Sequence, residues 1–173
     1  MRRVGGSKAS LYSYFGSKEG LFLEVVIEEC DKFQHDLHIP SVADESLEET
    51  LAAIGKRFLQ MFIDSAGLEL FRLIIAEVAR FPDLAQRFYE QGPRRSRRAL
   101  GEYLRLQHKA GRVDCPHPET SAAQFFELVK SVPHLRCTLG LPPFPPGQTH
   151  EDHIASAVDL FLNGCRRRRP HHK

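Results

Sequence analysis

The sequence predicts an all-α protein. Three observations carry this: apolar residues recur at steps of three and four in almost every segment from Lys18 to Gly164, no segment alternates with a period of two, and no internal repeat is present. With 173 residues, 42% of them apolar, the chain is long enough for one helical core and a small appendage.

The first element is short. Gly5 and Gly6 permit a sharp turn, and Ser7 suits the cap of a helix on which Leu11 and Phe15 share one face, with Ala9 beside them. Lys8, Ser10, Tyr12, Ser13 and Tyr14 furnish charge and hydroxyls around the rest. Gly16 suits a left-handed helix end, and Ser17 suits the cap of a second helix that carries Glu19 in its first turn, near the positive end of the dipole. Two helices meeting at so short a joint read as half of a DNA-reading helix-turn-helix. Only Met1 to Gly6 precede it, so the bracing helix that such a motif needs is missing from this sequence.

The remaining helices follow in order. Leu21, Phe22, Val25, Val26 and Phe33 keep helical spacing from Lys18 to about Asp36. Leu47, Leu51, Ile54, Phe58 and Phe62 define a strongly amphipathic helix that Ser65-Ala66-Gly67 interrupts. Phe71, Ile74, Ile75 and Val78 form the next stripe, ending before Phe81-Pro82, and Leu84, Ala85 and Phe88 make a short helix beyond it. Gly92-Pro93 restarts the chain into a helix bearing Leu100, Tyr103 and Leu104, which Gly111 ends. Ala122, Phe125, Phe126, Val129 and Val132 mark another, in which Pro133 produces a kink or an end. The extended connector Pro142 to Gly147 leads to a last helix with Ile154, Val158, Phe161 and Leu162, closing at Gly164.

Composition excludes several function classes. A net charge of +2 is too mild to mark a nucleic-acid binder by total charge, so any such signal must be local. Cys30, Cys115, Cys137 and Cys165 show no C-x-x-C spacing and no signal peptide accompanies them, which reads as reduced, cytoplasmic thiols. No apolar run reaches the roughly 20 residues that span a bilayer. His35 with His38, and Cys115 with His117, do not complete a metal-ligand set, and His150 and His153 have the wrong spacing for a zinc-protease motif. With no nucleophile context or phosphate loop, the chain reads as non-enzymatic, without metal or cofactor. The arginines 94, 95, 97 and 98 distribute round a helix and read as a solvated face.

The run Ser7-Lys8-Ala9-Ser10-Leu11-Tyr12-Ser13-Tyr14-Phe15, followed by Ser17-Lys18-Glu19-Gly20-Leu21-Phe22, resembles the recognition-helix signature of TetR-type transcriptional repressors. The resemblance implies a partial helix-turn-helix, comprising recognition and connecting helices, ahead of an orthogonal or antiparallel helical-bundle regulatory domain similar to AefR-like C-terminal domains. It further implies a homodimer on a double-stranded DNA operator, released when a small hydrophobic effector binds. The organisation expected is a DNA-binding remnant with connecting helix over 1–36, a ligand-binding and dimerisation domain over 37–165, and a basic tail over 166–173. Matched by position, Ser10, Tyr12, Tyr14 and Lys18 fall where the family holds phosphates, and Lys8 and Ser13 fall near base edges or adjacent backbone, with Ser7 beside them. The effector liners expected are Phe58, Met61, Phe62, Phe71, Ile75, Tyr103, Phe126 and Val129; the dimer interface expected is Phe125, Leu128, Val132, Ile154, Val158 and Phe161. The alternative is a dimerisation and small-molecule-binding module that does not bind DNA.

Overall fold

A computed structural model describes residues 17–40 and 46–165. Helix α1 (Lys18–Leu37) begins as its sequence dictates: the Ser17 hydroxyl accepts from the Gly20 amide at 3.0 Å, and Glu19 occupies the first turn. It ends at His38, which takes the left-handed conformation with φ 39°.

The helices α2 (Leu47–Ile63) and α3 (Ser65–Glu77) are separated by Asp64 alone. Asp64 caps α3 by accepting from the Gly67 amide at 2.7 Å. Gly67 is required by close approach, since a Cβ there would lie 1.9 Å from the Met61 carbonyl oxygen. Helix α4 (Pro82–Tyr89) opens on a proline, where the missing N–H costs nothing.

At Gly92-Pro93 the chain does not restart. A π-helical turn, Glu90–Arg94, carries α4 directly into α5 (Arg95–Lys109). Proline lacks the amide that an α-helix would use there, and the wider turn accommodates the loss. The loop after α5 turns at Gly111, φ 74°, before α6 (Pro118–Thr138). Two residues before Pro133 the backbone leaves helical geometry at Ser131, φ 21°, ψ −129°, so α6 is two helical segments joined at a kink. Helix α7 (His150–Gly164) starts on a capping box in which Thr149 and Asp152 exchange hydrogen bonds. Among the described residues there is no strand.

Two apolar cores result. The main core joins α2, α5, α6 and α7 through residues such as Leu51, Phe58, Leu100, Phe125, Val129 and Phe161, and also takes in Leu37 from the end of α1. The smaller one joins the first two-thirds of α1 to α3 and α4 through Val26, Cys30, Ile74 and Leu84. Helix α1 thus belongs to both. The π turn sits against it: a Cβ on Gly92 would lie 3.2 Å from Cys30 Sγ, and Gln34 Nε2 donates to Ser96 Oγ at 2.6 Å. Three of the clustered arginines are held within the protomer, Arg94 by Glu90, Arg95 by Asp31, and Arg97 over the Tyr89 ring.

Candidate effector site and reading end

The expected effector liners divide into three groups. Phe58, Tyr103, Phe126 and Val129 are buried in the main core, brought together from α2, α5 and α6. Met61, Phe62 and Phe71 are half-buried, with Phe62 packed against that core. Ile75 does not join them: it is 55% exposed on the outer face of α3, because Ile74 is the residue that turns into the small core.

The aromatic rings form one connected cluster. Phe58 stacks on Phe126 with centroids 4.2 Å apart and meets Phe62 at 5.0 Å. Phe62 and Phe71 both present edges to His134, at 5.0 and 4.8 Å. On the other side Phe58 meets Phe33 of α1 at 5.9 Å. The chain of rings therefore runs from the kink of α6 to the connecting helix.

Polar groups in this apolar setting have few partners. Tyr103 is 2% exposed and Gln107 is fully buried, one turn apart on α5, and neither the Tyr103 hydroxyl nor Gln107 Nε2 has a hydrogen-bond partner. Arg112 donates to Gln107 Oε1 at 3.3 Å, which directs the amide nitrogen the other way. An unpaired buried donor costs about 1–3 kcal/mol, so two of them one turn apart on α5 require compensation. His134 and Gln107 were not among the residues expected at this site; Gln107 lies four positions from Tyr103 on the same helical face, a spacing that marks it once polar residues are admitted.

His134 is buried, and its Nδ1 lies 3.1 Å from the Phe62 carbonyl at the free end of α2. A carbonyl only accepts, so Nδ1 carries the proton. Burial pulls the imidazole below its ordinary pKa, with the Phe62 carbonyl opposing.

The residues expected at a two-fold interface also divide. Phe125, Ile154, Val158 and Phe161 are buried inside the protomer's own core, leaving almost no surface for a second copy. Leu128 is half-buried against that core, and Val132 is exposed. On the same two helices Leu135 and Leu160 are also exposed, as is Leu139, the cap of α6, at 68%.

Of the DNA-reading residues, Ser7, Lys8, Ser10, Tyr12, Ser13 and Tyr14 lie outside the described residues, and Lys18 opens α1. The start of α1 borders an open cleft of about 280 Å³, walled by Phe22 and Leu23 on one side and Phe81 and Pro82 on the other. Among the described residues no group of three or more His, Cys, Asp or Glu side chains is arranged to hold a metal ion, and no helix is long and apolar enough to cross a membrane.

The described residues form an all-helical bundle behind a capped connecting helix. Residues 49–164 match the model of the AefR-like transcriptional repressor C-terminal domain, and residues 1–25 match that of bacterial regulatory proteins of the tetR family. The chain belongs to the TetR family of transcriptional regulators. Among solved structures it is similar to the flavonoid-responsive regulator FrrA, with a TM-score of 0.82 and 35% identity, covering 95% of this chain and 83% of that one. It is also similar to a TetR-family transcriptional regulator from Mesorhizobium loti MAFF303099, with a TM-score of 0.80 and 26% identity, covering 92% and 81%. No curated protein sequence matches.

Proposed function

We propose that this chain is a cytoplasmic, dimeric, non-enzymatic repressor that leaves its operator when a small, largely apolar aromatic effector enters the main core. The observation that carries the reading is the pair of unpartnered buried groups, Tyr103 Oη and Gln107 Nε2, one turn apart on α5, with Tyr103 in the core that also contains Phe58 and Phe126. A planar aromatic molecule bearing hydroxyl or carbonyl oxygens supplies what both lack, stacking on the rings while accepting from the two donors. The flavonoid response named for the similar regulator FrrA fits that chemistry.

Coupling to DNA runs through α1. Its last third touches the aromatic cluster through Phe33, its first two-thirds lie in the small core, and the recognition stretch precedes it. Displacing Phe58 therefore tilts α1 and changes the separation of two recognition helices, which need to sit about 34 Å apart to enter successive major grooves. The effector's leverage equals its differential affinity for the two spacings. Ser7, Lys8, Ser10, Tyr12, Ser13, Tyr14 and Lys18 are the residues assigned to DNA.

A gel shift on the DNA flanking the chain's own gene tests this, with and without a hydroxylated flavone. Expected is a retarded band that the flavone abolishes. A flavone that binds by calorimetry while no DNA is retarded would instead support a ligand-binding module without DNA recognition, and absence of both would remove the proposal.

A further inference from the structure

Cys115 and Cys165 are 50 positions apart in sequence, yet their sulfurs stand 3.4 Å apart. Cys115 is buried in the loop between α5 and α6, and Cys165 is the half-buried residue that caps α7. The backbone is fixed where the two meet. The Asp114 amide donates to the Cys165 carbonyl at 2.8 Å, and the Cys115 amide donates to His108 Nδ1 at 3.1 Å. A disulfide needs its sulfurs at about 2.0 Å, so closure from this arrangement asks for side-chain rotation and little from the main chain. The other two thiols lie elsewhere, Cys30 in the small core and Cys137 near the end of α6. Neither the aromatic cluster nor the exposed leucines use the Cys115–Cys165 pair.

We propose that Cys115 and Cys165 are a modification site: they form a reversible disulfide by exchange with a low-molecular-weight disulfide, tying the end of α7 to the loop that follows α5. Cys165, the more accessible of the two, attacks as the thiolate. Its sulfur bonds to one sulfur of the small disulfide, whose S–S bond breaks, and the first small thiol leaves with the proton that Cys165 gave up. The Cys115 sulfur then attacks Cys165 Sγ in the mixed disulfide, and the second small thiol departs with the Cys115 proton. Two protein thiols are oxidised and one small disulfide is reduced to two thiols.

Burial, reinforced by the hydrogen bond with Cys115, pushes the Cys165 thiol up to about 12. Little thiolate is present at neutral pH, so the exchange is slow and quickens as pH rises. Such a pair answers sustained oxidising conditions, and the cross-link it leaves restrains α7, whose Ile154, Val158 and Phe161 cover the main core.

The test is a redox titration of the full chain in glutathione buffers of increasing disulfide content, followed by alkylation under denaturing conditions and mass spectrometry. Expected is the joint loss of two alkylation sites, a peptide linking Cys115 to Cys165, monomeric mobility on a non-reducing gel, and a Tm raised by up to roughly 10 °C. The variant Cys165→Ser, at a half-buried helix end, is expected to abolish both the paired loss and the Tm shift. Four alkylatable thiols in the most oxidising buffer would overturn the proposal, as would a disulfide joining separate chains. Peptide mapping of the unaltered protein decides the matter even if the variant folds poorly.

Discussion

His153 Nε2 donates to the Val129 carbonyl oxygen across 2.8 Å, from α7 to α6. The Val129 carbonyl would ordinarily receive the amide of the residue four positions on, and that residue is Pro133, which has none. The histidine therefore supplies the donor that the proline withholds, and its Nε2 carries the proton because a carbonyl only accepts. The kink at Ser131 and the placement of α7 are parts of one arrangement.

Replacing His153 with alanine leaves that carbonyl unsatisfied, at a cost of about 1–3 kcal/mol. Urea unfolding followed by circular dichroism should show the midpoint fall with the slope unchanged. An unaltered midpoint would mean that water replaces the histidine without loss.

The glycines of the chain differ sharply in what they tolerate. Gly67→Ala forces a Cβ into the Met61 carbonyl and should destabilise by more than about 2 kcal/mol. Gly164→Ala, at the end of α7 with nothing within 4 Å, should be neutral or stabilise by up to about 1 kcal/mol. Thermal melts of the two variants should move in opposite directions or diverge by several degrees.

Acid sensitivity follows from His134. Its folded pKa lies below the ordinary 6.5 because burial disfavours the cation, so the unfolded chain binds the proton more readily. The stability this provides is complete above 6.5 and is lost as pH falls through the lower folded value. His150, lowered by the same cause, acts in the same direction. The unfolding midpoint should decline between pH 7 and 5, and His134→Gln should flatten the decline. A profile equally steep in that variant would place the titrating group elsewhere.

Tyr103→Phe removes a hydroxyl that has no protein partner, and Gln107→Leu removes the unpartnered Nε2 together with the Oε1 that accepts from Arg112. Tyr103→Phe should be as stable as the parent or more so, by about 1 kcal/mol, since a desolvated orphan is deleted, whereas Gln107→Leu sets that gain against the lost Arg112 hydrogen bond and should be near neutral. Affinity for a hydroxylated flavone, measured by calorimetry, should nevertheless fall about tenfold, the equivalent of about 1.4 kcal/mol. Loss of stability with unchanged affinity would show that both groups serve the fold alone.

For self-association, the exposed Leu135, Leu139 and Leu160 are better candidates than the buried Phe161. Leu139→Asp should yield a helical monomer by light scattering at micromolar concentration. Phe161→Asp should instead unfold the protomer, because that ring packs on Phe125 at 5.2 Å.

Periodicity made the helices legible, and local chemistry made their ends legible: the Ser17 cap and the turn at Gly111 both stand where the residues predict. What periodicity does not encode is the partner of an apolar face. Ile74 and Ile75 are adjacent and equally apolar, and only the packing of α1 decides that the first is buried. The stripe of Ile154, Val158 and Phe161 looks the same whether it covers its own core or a second copy. Gln107 escaped notice because a glutamine does not announce burial.

Along α4 and α5, Leu84, Phe88, Gly92, Ser96, Leu100 and Leu104 follow one another at strict intervals of four, and all face the protein. On an uninterrupted α-helix such a row precesses by roughly 40° per interval and would have wound to the opposite side by Leu104. The π turn at Glu90–Arg94 takes back about one residue of rotation, roughly 100°. This helix holds one residue more than its phase requires, and the surplus is parked at Pro93, where a regular turn had no hydrogen bond to lose. Burial that begins in the small core is thereby handed to the large one without the row leaving the protein's side.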